Sequence, residues 1–208
     1  IIANEGNYGI YSKMLYSGIQ SIVINDGTIH LTGDNKTGVY INNTNFTNNG
    51  IIRIDGENAT GIKAENNSTV RIGQNSQIIL NGNDPVTQAN TDYEDKTSVS
   101  TNNSNSGGKA YDLDSTSTLV NAGTILASGN FTIESEGKFI LDTQTGGIEA
   151  STLNLEGDMY VNAEGTMNSS EDSYILENVK VNDIKGSGSV VSDSYLFTAS
   201  VENESDEY

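Results

Sequence analysis

The chain has no cysteine, one proline, a single histidine and no long apolar run. Without cysteine there is no disulfide framework, no thiolate nucleophile and no zinc site of the cysteine type. No stretch of about 18 apolar residues is present, so no helical membrane span is expected. The N-terminus "IIANEGNYGIYSKML" lacks the basic stretch, apolar block and small-residue cleavage site of a signal peptide, and the sequence is expected to be a fragment. Positive charge is scarce. Ten Lys and Arg face twenty-eight Asp and Glu, a net charge of −18, and such a field repels phosphate backbones and anionic lipid. Nucleic acid is therefore not an expected partner. Apolar residues are also few, 34% against a usual share of about 45–50%, a shortage that disorder would explain. Disordered chains, however, are poor in β-branched residues, and here Ile, Val and Thr recur in regular pairs.

The regularity is a repeat. "GTIHLTGDNKTG", Gly27 to Gly38, returns as "GIIRIDGENATG", Gly50 to Gly61, with glycines and apolar residues in step at an offset of 23. Ile29 and Leu31 fall over Ile52 and Ile54, and Val39 and Ile41 over Ile62 and Ala64. The residues between them, His30, Arg53, Tyr40 and Lys63, are polar or amphipathic, the period-2 pattern of a strand with one face buried. A third copy, "IILNG" from Ile78, stands 26 residues on, as though "QNS", Gln74 to Ser76, were inserted at a corner. A fourth, "GTILASG" from Gly123, follows, with its Ile125 standing 47 residues after Ile78. Taking one 26-residue turn from that interval leaves 21, which fall in a loop inserted at 84–108.

Beyond residue 130 the rhythm shortens. "FTIESEGKFIL", Phe131 to Leu141, matches "STLNLEGDMYV", Ser151 to Val161, at an offset of 20. Short strands, glycine turns and periods of 20 to 26 predict a β-solenoid: an all-β, right-handed parallel β-helix in which stacked rungs bury a narrow core. The leucine-rich repeat consensus is absent, and a β-sandwich would not keep register at 23. The expected division is 1–130 for the main rungs, 131–201 for shorter rungs and a C-terminal cap, and 202–208 for an acidic connector.

The repeats "NDGTIHLTGDNKTGVYI" and "NNGIIRIDGENATGIKAENNSTVRIG" resemble the passenger region of the very large monomeric autotransporter adhesins of fusobacteria. "VKVNDIKGSGSVVSDSYLFTASVENE", Val179 to Glu204, is similar to the segment these proteins carry near the end of the passenger, ahead of a membrane barrel. The resemblance implies a monomer on the bacterial surface, held in the outer membrane only through a C-terminal β-barrel absent from this sequence. It also implies attachment to a host-cell receptor or glycan, or to a partner bacterial surface protein, and an autochaperone-like C-terminal region.

The competing class is a secreted β-helix polysaccharide lyase or hydrolase. Such enzymes need clustered carboxylates, and Asp112 with Asp114, or Glu134 with Glu136, lie two apart as one strand face requires. With twenty-eight acids such pairs also arise by composition alone. His30 sits between Ile29 and Leu31 as an outward rung residue, no Gly-x-Ser-x-Gly elbow exists, and the repetitive calcium-binding glycine–aspartate motif is missing. The reading is non-enzymatic, with no cofactor and no metal site. Ten Asn-x-Ser/Thr sequons are what this much Asn, Ser and Thr supplies by composition. Binding residues on repeat scaffolds tend to sit in insertions, so Asp92, Tyr93, Glu94 and Asp95 of the 84–108 loop are the candidate contact residues.

Overall fold

The computed structural model describes residues 2–3, 6–14, 19–81, 99–100, 109–126, 130–142, 145–162 and 179–193. Within them the chain winds through short strands. The first turn holds Ile2–Ala3 (β1), Tyr8–Lys13 (β2) and Ser21–Asn25 (β3), and the second Thr28–Thr32 (β4), Thr37–Asn42 (β5) and Thr44–Asn48 (β6). The third holds Ile51–Asp55 (β7), Thr60–Glu65 (β8) and Thr69–Ile72 (β9). Then come Gln77–Asn81 (β10), Val99–Ser100 (β11), Lys109–Leu113 (β12) and Thr118–Asn121 (β13). The remaining strands are Thr124–Leu126 (β14), Asn130–Ile133 (β15), Lys138–Asp142 (β16), Gly147–Leu155 (β17), Met159–Asn162 (β18), Val179–Gly186 (β19) and Val190–Ser192 (β20).

Strands from successive turns stack into three parallel sheets, the arrangement of a β-solenoid. Sheet A follows β1-β4-β7-β10-β11-β14-β17-β15 with β19 also on β17; sheet B follows β2-β5-β8-β12; sheet C follows β3-β6-β9-β13-β16-β18-β20. The repeat is the register. Ile29 lies opposite Ile52 and Leu31 opposite Ile54, Val39 opposite Ile62 and Ile41 opposite Ala64, and Ile78 continues the first column. All of these side chains are buried. Each buried Ile or Leu contributes about 1.5–3 kcal/mol relative to exposure, so a few inward side chains per sheet hold a rung. This is how a chain with so few apolar residues forms one continuous core. Only two of the three extra residues fall at the "QNS" corner, where 73–76 separates β9 from β10 and 49–50 separates β6 from β7; the third falls between β8 and β9, where the offset passes from 23 to 24.

Two columns of buried polar side chains line the corners beside this core. At the corner from sheet C to sheet A, Asn25 Nδ2 donates to Asn48 Oδ1 (2.7 Å), and Asn48 Nδ2 donates to the Gly50 carbonyl (3.0 Å). Asn121 repeats the arrangement with the Gly147 carbonyl (3.2 Å) and the Gly123 N–H (3.2 Å). At the corner from B to C, hydroxyls form the column. Ser12 meets Thr44 (3.1 Å), the Thr44 N–H donates to Ser68 Oγ (3.2 Å), and the Ser68 N–H donates to Ser117 Oγ (3.3 Å). These buried polar groups are tolerated because they find partners on a neighbouring rung or within their own corner.

The insertion is not loop throughout. Val99 of β11 lies opposite Ile78 on one side and Ile125 on the other, so the surplus of 21 residues adds one more strand to sheet A. The remainder of 84–108 lies outside the described residues. Among the described residues sheets B and C gain no matching strand: β12 pairs with β8 and β13 with β9. Sheet A is therefore one strand richer at this level, and no backbone pairing joins β12 to β15. Three rings pack there instead, Tyr111 with Phe139 (5.8 Å), Tyr111 with Phe131 (6.2 Å) and Phe131 with Phe139 (5.9 Å). The Tyr111 hydroxyl donates to the Thr132 carbonyl (3.3 Å), and burial pushes that hydroxyl far above the usual tyrosine range.

Past this level the corner between sheets A and B is straightened out. β17 pairs with β14 through its first half and with β15 through its second, and β19 follows β17 through both halves. The offset of 20 holds for sheet C, where Phe139 lies opposite Met159 and Leu141 opposite Val161. It is 22 for the preceding strand, where Phe131 lies opposite Leu153, because five residues, Glu134 to Lys138, separate Ile133 from Phe139 whereas three, Glu156 to Asp158, separate Leu155 from Met159.

Glycine serves two purposes in the coil. Gly33 adopts a φ of 109°, beside Asn35 at 56°. Gly38 has an ordinary φ but is packed so closely that a Cβ would meet the Gly61 carbonyl and Ile52 Cγ2. Around Gly27 a Cβ would meet nothing within 4 Å. Replacing Gly38 with Ala should therefore cost about 1–3 kcal/mol through forced separation of rungs, whereas Gly27→Ala should stay within about 0.5 kcal/mol. Chemical denaturation of the two variants checks this; equal effects would contradict the stacked register.

Candidate functional site

The side chains with catalytic or binding potential sit on outward positions of sheets A and B. On sheet A, His30 lies beside Arg53, and one carboxylate serves both. His30 Nε2 is 2.6 Å from Asp55 Oδ2, and Arg53 Nε is 3.1 Å from Asp55 Oδ1. Asp55 follows Arg53 by two residues on the same strand face, so this is a surface bridge across adjacent rungs. The lone histidine therefore contacts a partly exposed carboxylate and lies in register beside an arginine.

Sheet B carries the acids singled out in the sequence. Asp112 lies opposite Lys63, with Lys63 Nζ at 3.6 Å and Lys109 Nζ at 3.5 Å. Lys63 also reaches Glu65 (3.3 Å), and Lys109 reaches Glu134 (2.8 Å). The Glu134 hydrogen bond is the main cause that holds the Lys109 pKa above its ordinary value, although burial works to lower it. The acids thus alternate with lysines in a strip of compensated charge.

Asp114 does not converge with Asp112. It lies past the end of β12, at the corner, where strand alternation no longer governs direction. Its carboxylate accepts from the Asn66 N–H (2.7 Å), Ser117 Oγ (2.8 Å), Thr116 Oγ1 (2.8 Å) and the Thr116 N–H (3.1 Å). One side chain therefore ties two consecutive corners together. Burial works to raise its pKa, but the hydrogen bonds from Asn66, Ser117 and Thr116 outweigh it and hold the carboxyl below its usual range. Glu136 is exposed at the Glu134–Gly137 corner, while Glu134 faces Lys109. Among the described residues, no group of three or more His, Asp or Glu side chains is arranged to hold a metal ion. Asp92, Tyr93, Glu94 and Asp95 lie outside the described residues.

Tyr8, Tyr11 and Tyr40 form an outward aromatic group on sheet B that sequence reasoning missed. The signal was present. "NYGIYSK", Asn7 to Lys13, aligns with "KTGVYIN", Lys36 to Asn42, through Gly9 with Gly38 and Tyr11 with Tyr40, but at an offset of 29. The long corner after Lys13 hides that turn from a search at 23. The chain matches no family model, no curated protein and no solved structure.

The Asp114 corner generates a pH prediction with a definite sign. A carboxyl whose pKa is lower folded than unfolded stabilises the fold above its unfolded value and loses that contribution as pH falls through the folded one. Asp114→Ala should lower stability at neutral pH by about 1 kcal/mol, a discounted figure because the side chain is partly solvated. The gap to the parent chain should close as pH drops below the ordinary carboxylate range. Thermal melts across that range check it, and a gap independent of pH would contradict the assignment.

Proposed function

We propose that this chain is a non-enzymatic segment of a bacterial surface adhesin, a right-handed β-helical stalk near the barrel-proximal end of an autotransporter passenger. The observation that carries the reading is the division of labour along the ladder. Inward positions stay apolar along most columns, whereas many outward positions change in chemistry from rung to rung: His30 lies over Arg53, and Tyr40 over Lys63 and Asp112. A scaffold of this kind displays different side chains at fixed spacing on a frame that does not depend on them. Its partners would be a host-cell receptor or glycan, or a surface protein of another bacterium, recognised from the cell surface of the organism that makes it.

The carboxylates do not favour a polysaccharide-cleaving enzyme. Asp114 is spent on corner hydrogen bonds, and Asp112 and Glu134 on lysines. For the C-terminal rungs we propose a capping and folding role. Support comes from β19, which pairs along both halves of β17, and from Val179, Val181, Ile184 and Val190, which pack against the end of the core while remaining partly exposed.

The immobilised chain should capture host cells or bacteria of another species, and should leave neutral and acidic polysaccharides uncleaved. Polysaccharide turnover that disappears when Asp112, Asp114, Glu134 and Glu136 are replaced would overturn the reading. A truncation lacking 185–201 should refold slowly or aggregate through its uncovered strand edge; rapid and complete refolding would remove the cap assignment.

A further inference from the structure

The strand that the insertion contributes lengthens one side of the rod and leaves another unchanged. From the second turn to the last, sheet A climbs through β4, β7, β10, β11, β14, β17 and β19, six steps between the level of His30 and that of Lys180. Sheet C covers the same turns through β6, β9, β13, β16, β18 and β20, five steps from Thr47 to Val191. Strands paired through their backbones keep a spacing of about 4.8 Å, so sheet A is longer by about that distance. Both ladders run in register past this level, and neither has a gap in which the difference could be lost.

The packing at this level has the shape of a wedge. On the side of sheet C the turns are closed on each other: the Lys138 N–H donates to the Ser117 carbonyl (3.0 Å), as it would between any two rungs. At the corner from B to C, a Cβ on Gly137 would meet Leu113 Cβ at 2.5 Å and the Asp114 carbonyl at 3.1 Å, so no extra layer fits there. Between β12 and β15 the core is deeper. The inward column that carries Val39 and Ile62 continues with Tyr111, whose hydroxyl spans to the Thr132 carbonyl (3.3 Å) and whose ring packs with Phe131 and Phe139. All three rings are buried. Interiors are packed to uniform density, so three large rings where earlier turns carry aliphatic side chains mark added volume beside a sheet that has not lengthened.

We propose that β11 builds a fixed bend into the rod, with sheet A on the convex side and sheet C on the concave side. An excess of about 4.8 Å on one face of a coil whose faces lie about 10 Å apart tilts the turns beyond it by about 25°. Solenoids commonly curve through a small rotation at every repeat; here the change of direction is concentrated at one level. The insertion therefore acts through the backbone: it turns β14 to β20 away from the axis of the preceding turns and re-aims the outward side chains of both halves relative to each other. The Tyr111, Phe131 and Phe139 cluster holds the angle from inside. The inference is independent of the adhesive reading, since it concerns the path of the chain and not what the chain contacts.

With no native cysteine in the chain, paired spin labels report the two sides directly. One full-length chain carries His30→Cys and Lys180→Cys on sheet A, another Thr47→Cys and Val191→Cys on sheet C, and double electron–electron resonance gives the mean separation in each. Six steps correspond to about 29 Å and five to about 24 Å, and labels on a convex face diverge further, so the sheet A distance should be longer by at least about 5 Å. A second form of each chain lacks 82–104, which leaves four residues between β10 and β12, as there are between β7 and β8. Sheet A then loses one step, and the two distances should converge. Circular dichroism checks that the shortened chains are folded; where they are not, the two distances in the full-length chain decide alone. Equal distances in the full-length chain would mean that β11 bulges out of line without tilting the rod, and would overturn the bend. A difference that survives the deletion in a folded chain would overturn its assignment to β11.

Discussion

The parallel backbone ladder is the constraint on which the other features depend. Strands hydrogen-bonded in this way lie about 4.8 Å apart, so each side chain has a fixed neighbour above and below it. An inward position must then carry a residue that tolerates its counterpart on both sides. Isoleucine does so at Ile29, Ile52 and Ile78, and asparagine does so at Asn25 and Asn48, where the Asn25 amide donates to the Asn48 side-chain oxygen. The glycine columns follow from the same rule: a Cβ on Gly38, Gly50 or Gly56 would run into a backbone carbonyl of the neighbouring turn and push the two turns apart. Stability is local in such a fold, since each turn contacts chiefly its neighbours.

The ladder also explains which features were legible in advance. Register at 23, a longer corner at "QNS" and the inward residues of the second to fourth turns could be read from the repeat, because stacking selects for like residues at equal intervals, although one of the three extra residues lies between β8 and β9. Corner lengths face no such selection. The first turn, offset by 29, and the two-residue slip between Phe131 and Leu153 were hidden because their corners differ in length while their strands do not. Val99 was missed for a related reason. A two-residue strand is too short to show any period, although it joins sheet A in register. The polar columns at Asn48 and Ser68 carry no signature of burial in the sequence, since asparagine and serine favour turns whether or not they are buried.

The surface was less legible than the core. Alternation along a strand placed Asp112 and Asp114 on one face, but the rule stops where the strand does, and Asp114 belongs to a corner. His30 was correctly placed outward, though its partner Asp55, 25 residues away, could not be inferred from spacing alone. The tyrosine group became visible only when two turns of unequal length were brought into register. In each case the strand dictates direction locally, whereas the partner comes from another turn.

The central claim is in-register parallel stacking, and the absence of native cysteine allows a direct measurement. Thr47 lies opposite Arg71 on the outer faces of β6 and β9, while Thr69 is opposite Asn45. Disulfides require Cα atoms about 4.4–6.8 Å apart, which register partners satisfy and residues two positions out of register do not. Under mild oxidation, a chain carrying Thr47→Cys and Arg71→Cys should cross-link within itself in high yield, and one carrying Thr47→Cys and Thr69→Cys should not. Cross-linking of the second pair in preference to the first would contradict the ladder and the account built on it.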